Sequence, residues 1–189
     1  MADLSTMRTP AIEALVTASP ASHLAALTAL PPRTRFSFRG RPAAVTAFGT
    51  VLGFDLPQVA CRFAEDGARR ALWLGPDEWL VTLPDREATA FAGAAATALA
   101  GLPSSLVDVS QRSLALAVSG PMAARIINAG CPLDLSPDAF PVGMCTRTLL
   151  GKAEIVLSRT DEARFEIDVW RSFADYVWRL LEEARREFV

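Results

Sequence analysis

The chain has 189 residues and a formal net charge of −2, with 51% hydrophobic and 21% charged residues. That length and balance describe an ordered globular protein, one domain or two small lobes sharing a core, with no need of metal or disulfide to hold it together. Near-neutral charge removes the electrostatic reason to expect nucleic acid or an anionic membrane as a partner.

Cys61, Cys131 and Cys145 form no CxxC pair, and His23 is the only histidine. Tetrahedral zinc ligation therefore lacks ligands, and the thiols read as free and buried in a reducing cytoplasm. Asp3 and Glu13 interrupt the opening stretch, and no sustained apolar run follows Arg8, so no secretory leader is expected. From Ala88 to Val107 no residue is charged, a length that can span a bilayer. Its alanines, with Gly93, Gly101 and Pro103, keep its hydropathy low, so the expectation is an alanine-rich helix and a turn, without a membrane span.

Residues 1–32 form a distinct arm, punctuated by Pro10, Pro20, Pro31 and Pro32. Two short helices are expected there, one beginning after Thr9 and Pro10 and one carrying Leu24, Leu27 and Leu30 at i, i+3, i+6. Neither is long enough to stand alone in water, so each needs a surface of this protein or of a partner.

The body starts near Arg33. Arg35 to Arg39 alternates polar and aromatic residues as a half-buried strand would, and Val45 to Leu56 reads as a short helix. A brief strand at Cys61 to Phe63 precedes a turn at Glu65-Asp66-Gly67. The clearest hairpin joins Ala71–Leu74 to Trp79–Leu83, with Pro76 and Asp77 suited to the central turn positions. A helix runs from Pro84–Asp85 to about Ala100 and stops at Gly101.

The pattern then starts again. Strands at Leu106–Val109 and Ser113–Val118 flank Gln111-Arg112, and Ser119-Gly120-Pro121 opens a helix with Met122, Ile126 and Ile127 inward and Gly130 at its end. After a helical turn at Ser136, strands are expected at Thr146–Leu150, Ala153–Ser158 and Arg164–Trp170, the last two separated by a turn from Thr160-Asp161. In the final helix Ser172 and Asp175 have capping-box spacing. Phe173, Tyr176, Val177, Leu180, Leu181, Ala184 and Phe188 form its inner stripe, while Arg179, Glu182, Glu183, Arg185 and Arg186 face water.

This order is α+β, with helices on one side of mostly antiparallel strands. It divides into the arm at 1–32 and a domain at 33–189 built of two βαβ-like, ferredoxin-like halves, 33–104 and 105–189.

No chemistry stands out. A Ser–His–Asp triad has only His23 to draw on, no G-x-G-x-x-G follows a strand, and no phosphate loop occurs. The paired carboxylates Asp77–Glu78, Asp161–Glu162 and Glu182–Glu183 fall in turns or on a solvated helix face, where two pKa values are not driven apart. Asp108 and Arg112 flank a strand break and read first as an ordering ion pair, with contact to a ligand as the alternative. Trp73, Trp79, Trp170 and Trp178 read as core residues, and an exposed one would instead mark an interface anchor.

The segment Leu106-Val-Asp-Val-Ser-Gln-Arg-Ser-Leu-Ala-Leu-Ala-Val-Ser-Gly-Pro121 resembles the N-terminal module of the aminomethyltransferases, the glycine-cleavage T-proteins. More narrowly, Leu74-Gly-Pro-Asp-Glu-Trp-Leu80, Asn128-Ala-Gly-Cys-Pro-Leu-Asp-Leu135 and Phe140-Pro-Val-Gly-Met-Cys-Thr-Arg147 are similar to the gamma subunits of heterotetrameric sarcosine oxidases. So are Lys152-Ala-Glu-Ile-Val-Leu157 and Val169-Trp-Arg-Ser-Phe173.

The resemblance implies a cytoplasmic complex with alpha, beta and delta subunits that oxidatively demethylates sarcosine. FAD, FMN, NAD and the tetrahydrofolate site then belong to the larger partners, and this chain has no catalytic or metal-binding residue of its own. The folate-binding relatives carry an acidic pair in a G-G-x-x-D-D-like strand. The corresponding strand here, Gly151-Lys-Ala-Glu-Ile-Val156, keeps only Glu154 and has Lys152 in place of the second glycine. Glu154 and Arg112 are therefore the only folate candidates the resemblance leaves. The alternative is a free-standing folate-binding or aminomethyltransferase-like protein.

Overall fold

A computed structural model describes residues 12–189 of the chain. The helix signal at Thr9-Pro10 and the leader reading at Asp3 and Arg8 lie outside the described residues. In chain order the elements are α1 (Glu13–Ala18), β1 (Ala26–Ala29), β2 (Thr34–Gly40), α2 (Pro42–Leu52), β3 (Phe63–Asp66), β4 (Arg69–Gly75), β5 (Glu78–Leu83), α3 (Ala88–Ala98), β6 (Ser104–Asp108), β7 (Ser113–Ser119), α4 (Ala123–Asn128), β8 (Cys145–Leu150), β9 (Ala153–Asp161), β10 (Arg164–Trp170) and α5 (Ala174–Ala184). Short 3-10 turns at Asp85–Glu87 and Arg171–Phe173 lead into α3 and α5. The chain divides into two compact units, Pro32–Ser110 and the described residues up to Pro31 together with Gln111–Val189.

The Pro32–Ser110 unit holds a sheet in the order β3-β4-β5-β2-β6, every pairing antiparallel. Alternation in β2 sends Phe36 and Phe38 to one face, where they join a core with residues of α2 and α3. Phe38 stacks on Phe48 with ring centroids 4.1 Å apart, and Phe48 meets Phe91 edge-on at 5.6 Å. Trp79 is buried beside Phe38 and donates its indole N–H to the Pro57 carbonyl at 2.9 Å.

Helix α2 begins earlier than the apolar run implies, because Pro42 fits its first turn, and it stops at Gly53, which takes the left-handed φ of 98°. The hairpin at Pro76-Asp77 forms as its residues dictate, with Gly75 opposite Glu78. The preceding turn falls at Gly67-Ala68, because Glu65 and Asp66 still pair with Arg70 and Arg69 in the ladder. The uncharged stretch from Ala88 divides into α3 and β6, and no helix among the described residues is long and apolar enough to cross a membrane. Sequence order groups β6 with the later strand β7, but its hydrogen bonds tie it to β2.

The second unit holds a sheet in the order β1-β7-β10-β9-β8, again wholly antiparallel. Its plan repeats that of the first. A strand (β2 or β7) leads through a helix (α2 or α4) into a three-stranded meander, whose last strand returns beside the first. A helix (α3 or α5) comes next. The fifth position, on the other side of β2 or β7, is filled by β6 in one unit and by β1 in the other.

That position explains why Leu24, Leu27 and Leu30 do not form the expected helix. Leu27 points inward and Thr28 outward while β1 pairs residue by residue with β7, so the ladder overrides a three-leucine helical spacing. The turn after β9 also moves, to Glu162-Ala163, because Arg159 is buried and draws the strand on. Its guanidinium donates to the carbonyls of Phe140 at 2.9 Å, Leu135 at 3.3 Å and Glu162, and lies 5.1 Å over the Phe165 ring.

Helix α5 buries Ala174, Val177, Trp178 and Leu181. Ser172 makes no cap, because a 3-10 turn precedes the helix, and Asp175 instead accepts from Arg179 Nε at 2.9 Å. Arg185 does not face water. It is 1% exposed and donates to Glu182 Oε2 at 3.0 Å, Glu182 Oε1 at 3.0 Å, the Ala25 carbonyl at 2.7 Å, the Pro20 carbonyl at 2.9 Å and Ser19 Oγ. Ser19 Oγ also donates to Glu182, and Ser22 Oγ donates to the Phe188 carbonyl at 2.6 Å. One ion pair on α5 thus supplies partners to an N-terminal loop that has no ladder of its own.

At the β7–α4 junction, Gly120 has φ 114°, and a Cβ there would stand 2.5 Å from the Leu24 carbonyl oxygen. The neighbouring Met122 N–H donates to that same oxygen at 3.0 Å.

Replacing Arg185 by methionine removes the charged partner of Glu182 and the donor to the Ala25 and Pro20 carbonyls. We expect a loss of about 3–5 kcal/mol in urea unfolding of the purified chain, and a smaller loss for Glu182→Gln. Gly120→Ala is expected to cost about 1–3 kcal/mol in backbone strain alone. Gly93→Ala, inside α3 with nothing within 4 Å of the new methyl, should instead raise stability by about 0.5–1 kcal/mol; thermal melts of both variants check the opposite signs.

Candidate functional site

Glu154 is exposed on β9, directly opposite Leu149 of β8. Ile155, the next residue, pairs with Val169, so Glu154 is level with Trp170 at the end of β10, and Trp170 pairs with Ser113 of β7. Arg112, exposed in the turn before β7, holds its guanidinium 5.8 Å over the Trp170 ring. The two folate candidates, 42 positions apart by their numbers, therefore flank one side chain. Trp79 and Trp178 are core residues at 1% exposure, whereas Trp170 is 44% exposed. Asp108 lies in the other unit, where its Oδ1 accepts from the Ser110 N–H at 2.8 Å and from Ser110 Oγ, ordering the end of β6.

The turn that leads into Glu154 is tightly built. Gly151 takes φ 59°, and a Cβ on it would collide with Tyr176 Oη. Its N–H donates to the Gly130 carbonyl at 2.9 Å, and the Lys152 N–H donates to Tyr176 Oη at 3.1 Å. The close approach that a glycine permits is thus occupied by a tyrosine of α5. Within Gly151-Lys-Ala-Glu-Ile-Val156 the one carboxylate is Glu154.

The other candidates have structural partners. Asp77 and Glu78 both lie near Arg39, at 3.5 and 3.3 Å, and Asp161 accepts from the Glu162 N–H at 2.6 Å. Glu183 pairs with Arg186. Glu182 belongs to the buried Arg185 network described above, which the exposed-face expectation did not include. Asp134 is held below the ordinary carboxylate range by the backbone N–H and hydroxyl of Ser136, an exposed turn.

His23 is exposed in the loop before β1. Cys131 and Cys145 are buried and Cys61 is half-buried. Among the described residues no three His, Cys, Asp or Glu side chains gather as metal ligands would. A cavity of about 360 Å³ is lined by residues including Gly40, Val45, Gln58 and Trp79. A second, of about 600 Å³, lies among Leu15, Pro20, Trp178, Glu182, Glu183 and others. Neither is lined by Glu154 or Arg112.

Comparison with known proteins gives this arrangement its context. The chain is similar to the sarcosine oxidase subunit gamma of Corynebacterium sp. strain U-96, at 32% identity over 187 residues, covering 90% of each chain. It is 35% identical over 143 residues to the sarcosine oxidase subunit gamma of an Arthrobacter species, covering 75% of this chain and 70% of that one. Its structure is similar to a chain of the heterotetrameric sarcosine oxidase from Corynebacterium sp. U-96, with a TM-score of 0.88, 27% identity and 96% of both chains covered. The aminomethyltransferase T of the Bartonella henselae glycine cleavage system shares the fold, with a TM-score of 0.66 over 85% of this chain and 46% of that one at 16% identity. The model of the sarcosine oxidase gamma subunit family matches residues 39–187, which include both sheets' meanders, the Gly151 turn and Trp170; the chain belongs to that family.

Proposed function

We propose that the chain is a non-catalytic, shape-giving gamma subunit of a heterotetrameric sarcosine oxidase. The assembly oxidatively demethylates sarcosine to glycine, releases hydrogen peroxide and, when tetrahydrofolate is present, forms its methylene derivative. In this reading FAD, FMN, NAD and the tetrahydrofolate site reside on the larger alpha and beta subunits, delta completes the complex, and the assembly works in the cytoplasm. Membership of the family supports it, as does the aminomethyltransferase-like fold kept without the paired carboxylates that serve folate chemistry. The observation that carries it is local: the lone Glu154 is exposed, and Tyr176 occupies the approach to the Gly151 turn.

A second reading, a free-standing folate-binding protein, draws on one feature, the exposed Trp170 between Glu154 and Arg112 on which a flat ring can stack. Tryptophan fluorescence titration of the purified chain with tetrahydrofolate separates the two. The expected result is no saturable micromolar binding, together with copurification of flavin-absorbing partners in a stoichiometric complex on coexpression. Saturable binding lost in Glu154→Ala would turn the assignment to the second reading.

A further inference from the structure

Among the described residues the large apolar side chains that stand exposed are Val59, Val107, Val142, Leu149, Trp170, Phe173, Tyr176 and Val189. Half of these belong to one end of the second unit's sheet. Leu149 sits across from Glu154, Glu154 is level with Trp170, Phe173 comes three residues later in the 3-10 turn, and Tyr176 reaches the Lys152 amide. Three of the four are aromatic, and Trp, Tyr and Phe with arginine are the side chains that concentrate at the centres of protein interfaces. The strand end and the hydrogen-bonded turn fix their backbones, so little ordering remains to be done on contact.

Charge separates this end from the rest. Arg112, Arg147, Lys152, Arg171 and Arg179 stand around it against Glu154, Asp168 and Asp175. Five cations against three carboxylates make the end positive on a chain whose net charge is −2. Lys152, at the tip of the β8–β9 turn, is the only lysine among 19 basic residues.

We propose that this end of the sheet, centred on Trp170, is the face by which the chain docks on another subunit of the oxidase, one that presents an apolar patch rimmed by carboxylates. The inference rests on the reading of the chain as a subunit of that assembly. Trp170 is the anchor, Leu149, Phe173 and Tyr176 exclude water around it, and Arg112 and Lys152 meet the partner's acidic rim.

Because the lysine is unique, its amine reports the face directly. Acetylation of the coexpressed complex and of the isolated chain, read by mass spectrometry at Lys152, is expected to show at least about tenfold protection in the complex. The double variant Trp170→Ser, Leu149→Thr is expected to enter the complex at least about tenfold less well than the wild type on sizing columns. Its circular dichroism and melting should stay close to the wild type, because both side chains are exposed. Val59→Ser, in the other unit at 67% exposure, should assemble normally.

Equal acetylation of Lys152 in the complex and in the free chain, or undiminished assembly of the folded double variant, overturns the proposal. So does protection of Lys152 in the isolated chain at high concentration, which assigns the face to a second copy. Should the double variant misfold, the wild-type acetylation pattern decides. Failure of the wild-type chain to copurify with oxidase subunits refutes the underlying reading instead, a different outcome from assembly with an exposed Lys152.

Discussion

The second unit depends on a buried ion pair whose surplus hydrogen-bonding capacity is spent on the chain's other end. A guanidinium has five N–H donors and no acceptor, and burying it is unfavourable unless nearly all of them are used. Glu182 takes two of the contacts of Arg185; Ala25, Pro20 and Ser19 take the others. Those three residues lie in a loop without regular structure, whose carbonyls would otherwise require water. The same interaction therefore satisfies a buried cation and an irregular segment at once. It also holds the loop where the next four residues can pair with β7.

The repeated plan of the two units makes this anchoring necessary. In the first, the strand that completes the sheet comes directly after its helix α3. In the second, α5 is near the end of the chain and the completing strand comes from the N-terminal side. A four-residue strand contributes few ladder bonds and one fully inward leucine, Leu27, too little to fix its own position. Gly120 adds a second constraint, since its lack of a side chain lets the Leu24 carbonyl approach and accept the Met122 amide. Sequence-distant residues on α5 and at the β7–α4 junction thus decide the fate of residues 19–29.

Local signals were legible in the residues alone, and long-range ones were not. Period-2 alternation at Phe36–Phe38 and Phe165–Val169 and the turn chemistry of Pro76-Asp77 are local, and each appears in place; the helical stripe of α5 holds at Val177 and Leu181, while Phe173 and Tyr176, expected inward, are exposed and Trp178 is buried. The spacing even places Arg185 inward, eight residues after Val177 and four after Leu181. Charge type argued for solvent, and position prevailed because carbonyls 160 and 165 residues away in sequence were there to receive it. The strand β1 and the displaced turn after β9 were illegible for the same reason, each set by partners far along the chain. At the candidate site, Glu154 and Arg112 were found through the resemblance, but their meeting at Trp170 requires the register across β9, β10 and β7, which no local pattern contains.

The Gly151 turn is closed by a side chain of the neighbouring helix. A glycine at positive φ with a free amide after it leaves an approach open; at Gly151, with φ 59°, that approach is filled, because Tyr176 Oη takes the Lys152 amide and the space beside the glycine. The closure takes one tyrosine on α5, while Ala153, Ile155 and Leu157 of β9 face the core. The hydroxyl also ties α5 to the β8–β9 turn through the Lys152 amide. Lys152 is on that turn, and Trp170 and Phe173 lead into α5, so the hydrogen bond that fills the turn also leaves less ordering to be done at the exposed side chains beside it.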